Sequence, residues 1–413
     1  MPASHLNTMA IFHETLPNGL RLVHVQNHAR VGWCGLAVNA GSRDDFPCRQ
    51  GLAHFVEHTI FKGTTHRRAW HILNRMETVG GELNAYTTKE GTMLYSVFPS
   101  QHVERAIELM SDLVTCSVFP EAELEREKDV VLEEVASYRD TPSEAIFDDL
   151  EDIAFAGHGM GHNILGSEQH IARMTSADCQ RYLKMQYVPA NMAFFSLGPC
   201  SPGKIFGLAA KHFGAMHHAL QRPQRVPPAV LAPEHREVDI DVHQCHTVVA
   251  ARVPGMYDEG RFALALLNNM LGGPGMNSLL NVRLRERHGL VYTVESSIAS
   301  FTDCGLFEIY FGCERNKVSR SLGHVFRTID ELAQSALPAH RLDACKRQYC
   351  GQMLVASSNP EAVAMRAGKS LLFWNEVTEV QDSIDRILQV TPEQLRMAAE
   401  RLTRDHATIL TFH

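Results

Sequence analysis

The sequence has no apolar run approaching the ~20 residues that span a bilayer, so no membrane segment is expected. Its start, "MPASHLNTMAIFHETLPNG", has no basic region followed by an apolar stretch, so no secretory signal is read there. Its ten cysteines include no C-x-x-C pair and no framework spacing, which excludes a small disulfide scaffold. They read as buried thiols in a reducing compartment, a bacterial-type cytoplasm. It has no Lys/Arg-rich run: 39 basic against 47 acidic side chains leave a formal charge of -8. A nucleic-acid or membrane-surface role is therefore excluded. What is present is an ordinary globular composition, 45% hydrophobic and 21% charged, over 413 residues, a length suited to two or three domains.

The chain reads as one domain written twice. At a constant offset of 218, Pro120 meets Pro338, Leu124 meets Leu342, Pro142 meets Pro360 and Phe155 meets Phe373. "MTSADCQRYLKMQYVPANMAFFSLG" parallels "VTPEQLRMAAERLTRDHATILTFH" at the ends of the two halves. Between them, the segment 221–235 carries Pro223, Pro227, Pro228 and Pro233 and few apolar repeats, as a linker does. The expected organisation is a domain 1–220, a linker 221–235 and a homologous domain 236–413. The expected class is α+β, each domain a mixed sheet packed with helices. In the first half, "LRLVHVQN" and "GWCGLAVNAG" alternate as strands, and 82–99 reads as two strands around a Lys89–Gly91 turn. Helices are expected over 50–61, from an N-cap at Ser100 to about 116, and over 121–139.

"GLAHFVEHTIFKGT", Gly51 to Thr64, sets two histidines four residues apart in an otherwise apolar helix. On a helix, residues i and i+4 lie one above the other, so His54 and His58 can offer two ring nitrogens to one metal ion. Glu57 flanks the same face and can reach a water at the metal without ligating it. The order H-x-x-E-H is that of inverted-motif zinc peptidases. A catalytic zinc needs a third protein ligand and an open fourth position. The acidic helix supplies Glu121, Glu123, Glu125, Glu127, Asp129, Glu133 and Glu134 as candidates. Glu127 and Glu134 are seven apart and share a face. With the halves aligned by eye, at an offset of 210 for the histidine helix, the second copy has Leu264, Leu267 and Asn268 for His54, Glu57 and His58. At the offset of 218 it has Cys345 and Gln352 for Glu127 and Glu134. A copy that folds without these groups leaves them free for chemistry in the copy that has them. Taken singly, an H-x-x-E-H among 23 histidines or an acidic helix is a coincidence or a solvated face. Their joint occurrence in one repeat carries the metal reading. His158, His162, His243 and His246 are assigned no role.

These residues resemble the pitrilysin family of zinc metallopeptidases, which includes insulin-degrading enzyme and the mitochondrial processing peptidase. The resemblance covers nearly the whole chain in the family's half-size form, two domains making half of a clamshell. It implies that Glu134, within "VVLEEV" and with 75 residues between it and His58, is the third ligand of one Zn2+ per chain. It implies that Glu127 supports the site and that Asn84, Ala85 and Tyr86, in "GGELNAYTTKEGTMLY", lie on a substrate-binding strand. "LGGPGMNSLLNVRLRERHGLVYTV" resembles the family's Gly-rich loop and Arg/Tyr pair, here Arg285 and Tyr292. On residue type alone these two read as a surface arginine and a strand tyrosine. The loop "GGPGMNSLL", which has no arginine, stands where the family usually has a small-residue run with an arginine, and this departure bears on subsite preference. Both features in one chain imply a homodimer in which each cleft combines the metal of one copy with the Arg/Tyr pair of the other.

The activity implied is a zinc-dependent endopeptidase acting on short or unfolded peptides bound in extended form. Three other readings compete. A non-catalytic core or scaffold subunit would favour loss of motif residues, and all are intact. A closed structural zinc site would need a fourth ligand, commonly cysteine, and the nearest are Cys48 and Cys116. A dedicated processing peptidase differs only in its subsites.

Overall fold

The computed structural model describes residues 9–217 and 224–413, so the first three residues of the 221–235 segment lie outside it. The chain packs into two units, each with its own sheet. In the first, strands β1 (Ala10–Thr15), β2 (Arg21–Gln26), β3 (Val31–Val38), β4 (Glu82–Thr87), β5 (Thr92–Pro99) and β6 (Met192–Gly198) take the order β1-β2-β6-β3-β5-β4. In the second, β7 (His235–Val238), β8 (Cys245–Val253), β9 (Val291–Ser300), β10 (Gly305–Cys313) and β11 (Ala407–Phe412) take the order β7-β11-β8-β10-β9. One pair in each sheet is parallel, β2 with β6 and β7 with β11, and the other pairs are antiparallel. With β1 set aside, order and pairing coincide: the repeat in sequence is a repeat of topology. The class is α+β, as expected.

The helices that cover these sheets and place the site include α1 (Leu52–Thr59), α2 (Val103–Cys116), α3 (Glu121–Arg139), α4 (Pro142–Ala154), α5 (Arg261–Gly272), α6 (Ala339–Ala356) and α7 (Pro360–Trp374). Helix α3 has the expected bounds. The helix expected from Ser100 begins later, because Ser100–His102 forms a separate 3-10 turn and no side chain caps α2. Among the described residues no helix is long and apolar enough to cross a membrane.

The packed units are not contiguous in sequence. The first comprises residues up to 135, 163–225 and 357–378; the second comprises 136–162, 226–356 and 379 onward. The packed units therefore do not follow the expected division at 221–235, because helices α4 and α7 each pack on the sheet of the other half of the chain. The physical reason is two-sided burial. Strands β6 and β10 are buried along their whole length, so both faces of each sheet need cover. Helices α1 and α2 cover one face of the first sheet. On the other face, Val363, Ala364, Ala367 and Leu371 of α7 pack against Val23, Ala37, Phe195 and Leu197. Gly368 lets α7 come this close, since a Cβ there would stand 2.6 Å from the Phe195 ring. Arg21 of β2 donates to the carbonyls of Leu371 and Leu372 at 2.8 and 2.9 Å, partnering two orphan acceptors at the end of α7. In the second unit, Ile146, Leu150 and Ala154 of α4 pack against Val248, Ala250, Leu306 and Leu410. Burying each large aliphatic side chain contributes roughly 1.5–3 kcal/mol.

Candidate metal centre

Helix α1 starts at a glycine that no other residue replaces cheaply. Gly51 has φ 89°, and a Cβ there would lie 2.4 Å from the Leu165 carbonyl oxygen. The half-buried Asp45 carboxylate accepts from the Gly51 N–H at 2.6 Å and the Ala53 N–H at 2.8 Å, so the first turn is held from outside the helix. Leu52, Phe55, Val56 and Ile60 are fully buried. This anchoring turns the opposite face, His54, Glu57 and His58, toward α3.

The two imidazole rings stand 4.5 Å apart, centroid to centroid. Glu134 of α3 brings its Oε2 to 3.7 Å from His54 Nε2 and 3.5 Å from His58 Nε2. Bonds of ~2.0–2.2 Å in a tetrahedral site place donors roughly 3.3–3.6 Å apart; the two N···O separations are close to that range, and all three donors lie within 4.8 Å of one another. Glu127, two turns before Glu134, accepts from His58 Nδ1 at 3.0 Å. Its other oxygen takes the Lys62 ammonium at 2.6 Å. Such a carboxylate fixes the ring and leaves Nε2 for a metal. His54 Nδ1 is buried without a hydrogen-bond partner, so packing alone orients that ring.

The charges follow from these contacts. Burial, reinforced by the neighbouring His58, pulls the His54 imidazole down to about 4. Burial also acts downward on His58, but hydrogen bonds to Glu127 and Glu134 outweigh it and lift the ring to about 9. Glu134 is held below the usual carboxylate range, chiefly by its hydrogen bond to His58. Glu57 is raised by burial, with His58 and the Thr87 hydroxyl opposing. The Thr87 hydroxyl donates to Glu57 Oε2 at 3.2 Å.

The structure therefore brings together His54, Glu57, His58, Glu127 and Glu134. Strand β4 is an edge of its sheet, and α1 packs beside it. Along β4, Leu83 and Ala85 pack into the core on the α1 side, whereas Tyr86 joins the opposite cluster, where Lys369 sits 5.3 Å from its ring. Asn84 is exposed and shares Tyr86's parity. Three further residues act at the site: Asp45, Lys62 and Thr87. Lys62 and Thr87 lie inside or next to the motif stretches, but only tertiary pairing reveals their partners.

Arg285 and Tyr292 belong to the second unit. Arg285 is exposed and lines a cavity of about 710 Å³ together with the loop Gly272–Gly275. Tyr292 is 56% exposed, and its hydroxyl donates to Glu314 at 3.3 Å. The same cavity holds the second unit's counterpart of the metal centre, and it corrects the alignment by one residue. Leu264 and Leu267 are core residues. Ala265, Asn268 and Asn269 face the cavity instead, and Asn269 donates to Gln352 of α6 at 2.5 Å. An offset of 211 therefore pairs Ala265, Asn268 and Asn269 with His54, Glu57 and His58. An amide pair stands where the first unit has imidazole and carboxylate.

Comparison with known proteins shows the family. The family model for insulinase, peptidase family M16, matches residues 21–168, and that for the peptidase M16 inactive domain matches 173–349. An uncharacterized zinc protease of Streptomyces coelicolor is 32% identical over 93% of this chain and 85% of its own length. One of Bacillus subtilis is 29% identical over 96% of this chain and 97% of its own length. The mitochondrial-processing peptidase beta subunit of Bos taurus is 29% identical over 94% of this chain and 81% of its own length. The crystal structure of a protease from Helicobacter pylori superposes with a TM-score of 0.90 at 21% identity, covering 98% of this chain and 99% of that one. The chain belongs to peptidase family M16, in its half-size, pitrilysin-like form.

Proposed function

We propose that the chain is a zinc-dependent endopeptidase that hydrolyses short or unfolded peptides bound in extended form. The observation that carries this is the three-donor set His54, His58 and Glu134, with Glu57 beside it and outside it. Relatives named zinc proteases support zinc as the ion. When bound there, zinc supplies Lewis-acid activation of water and of the scissile carbonyl.

The chain's own groups do the rest. Glu57 takes the proton of the attacking water and returns it to the leaving amine. Its raised proton affinity suits that role, and the Thr87 hydroxyl on Oε2 steadies the carboxylate. Glu127 and Lys62 hold the His58 ring in one tautomer. The free edge of β4, beside α1, supports a substrate that adds itself to the sheet through Asn84, Ala85 and Tyr86. Such a grip reads backbone rather than side chains, and a folded domain offers it no free strand. Arg285 and Tyr292, both solvent-accessible, are assigned to the substrate carbonyl and developing oxyanion in a homodimer, each copy completing the other's cleft. A reducing cytoplasm fits ten free cysteines.

The test is cleavage of a quenched, unstructured peptide beside a stably folded domain of similar size. The reading expects chelator-sensitive cleavage of the first and none of the second. Cleavage that survives full removal of metal would end it. Absence of cleavage with zinc bound would favour a scaffold subunit.

A further inference from the structure

A second group of metal-type donors lies where α1's exit loop meets α2, and the proposed mechanism uses none of it. Asp112 and Cys116 are one turn apart on α2 and share a face. The loop after α1 is pinned against the end of that helix. Thr65 N–H donates to the Cys116 carbonyl at 2.9 Å, and Thr64 forms a bridge with Ser117. His66, two residues on, thereby points at the same face. One ligating atom from each of His66, Asp112 and Cys116 lies within 4.8 Å of the other two.

The carboxylate is prepared on one side. Asp112 is 5% exposed, and its Oδ2 accepts from the Thr64 hydroxyl at 2.8 Å and from Arg67 at 2.6 Å. Arg67 divides its charge with Glu108, at 2.7 Å. Oδ1 faces His66 Nδ1 at 2.6 Å, a hydrogen bond. Two metal bonds of ~2.0–2.1 Å need those atoms roughly 3.3 Å apart. That opening requires movement only of the His66 side chain, which is 63% exposed. Carboxylates that ligate metals are themselves hydrogen-bonded from outside, and here Thr64 and Arg67 fill that role. An imidazole, a carboxylate and a thiol form a mixed N, O, S set, which suits borderline cations such as Zn2+ or Co2+ and not Mg2+ or Ca2+. The exposure of His66 leaves room for water at a fourth position.

We propose that His66, Asp112 and Cys116 bind a second divalent cation of the zinc class, fastening the loop that leaves the H-x-x-E-H helix to α2. The assignment is independent of peptidase activity. Its test is spectroscopic, because His54, His58 and Glu134 include no sulfur. Chelator-stripped full-length chain is titrated with Co2+. The expected result is two cobalt ions per chain, one of them bringing a near-ultraviolet thiolate-to-cobalt charge-transfer band. Cys116→Ser and, separately, the surface change His66→Asn should abolish the band and reduce the stoichiometry from two to one. His54→Ala should leave the band in place. A wild-type chain that binds cobalt without the band, or a band that survives Cys116→Ser, overturns the proposal.

Discussion

His58 is held from two sides: Nδ1 bonds Glu127 and Nε2 faces Glu134. Glu127 is thus a positioning residue, and Glu127→Ala should weaken zinc binding by about 10–100-fold. Competition against a chromogenic chelator measures that directly. The same contacts set the proton balance. A ring lifted to about 9 is charged at neutral pH in the metal-free chain, whereas a ligating imidazole must be neutral. His54, lowered to about 4, has no proton to lose. Zinc binding at pH 7 should therefore release roughly one proton per chain. As pH falls from about 9 toward about 4, where His54 also takes up a proton, the affinity should fall by roughly tenfold per pH unit. Calorimetry in buffers of different ionisation heat reads this release, and buffer-independent heats would refute it. At this scale the sequence was most legible. Helical spacing puts His54, Glu57 and His58 on one face and Glu127 and Glu134 on another, whereas the choice of Glu134 among seven acids rests on the family resemblance. Asp45, Lys62 and Thr87 escaped because their roles come from pairings that the chain makes only once folded.

At the scale of elements, periodicity gave α3 and the two strands around the Lys89–Gly91 turn. It could not say against which sheet an amphipathic helix packs. Helices α4 and α7 show the gap: each buries an apolar face, and each does so on the sheet of the other repeat. The one-residue slip in the repeat has the same origin. Helix α5 is apolar over "ALALL", and only packing distinguishes core Leu264 from Ala265 at the cavity. The exchange of α4 also has an electrostatic cost. Glu308 on β10 is pushed up to about 8, first by burial and then by Glu151, with Ser297 opposing and Asp148 adding. Between the ordinary value of 4.5 and about 8, the unfolded chain has lost this proton and the folded chain keeps it, so stability falls as pH rises. Glu308→Gln should therefore be more stable than the parent by roughly 1–3 kcal/mol near pH 8. The two should converge toward pH 4.5. Urea unfolding across that range checks the sign; a variant less stable at pH 8 would contradict it.

At the scale of the molecule, one topology is used twice, and the donor set His54, His58 and Glu134 occurs in one of the two copies. In the second unit an Asn269–Gln352 hydrogen bond joins α5 to α6 where the first unit sets imidazoles against Glu134. The helix pair therefore needs no ion to fold, and removal of zinc should abolish turnover while leaving most of the structure intact. Circular dichroism of the stripped chain should change little; extensive unfolding would show that the centre is structural. The most direct test of the central claim is zinc add-back to stripped enzyme, following cleavage of a quenched, unstructured peptide by wild type beside Glu57→Gln. The account predicts that both bind zinc at His54, His58 and Glu134. Wild type should recover activity, while Glu57→Gln stays lower by about 10²–10⁴-fold. Equal turnover by the two chains would contradict it.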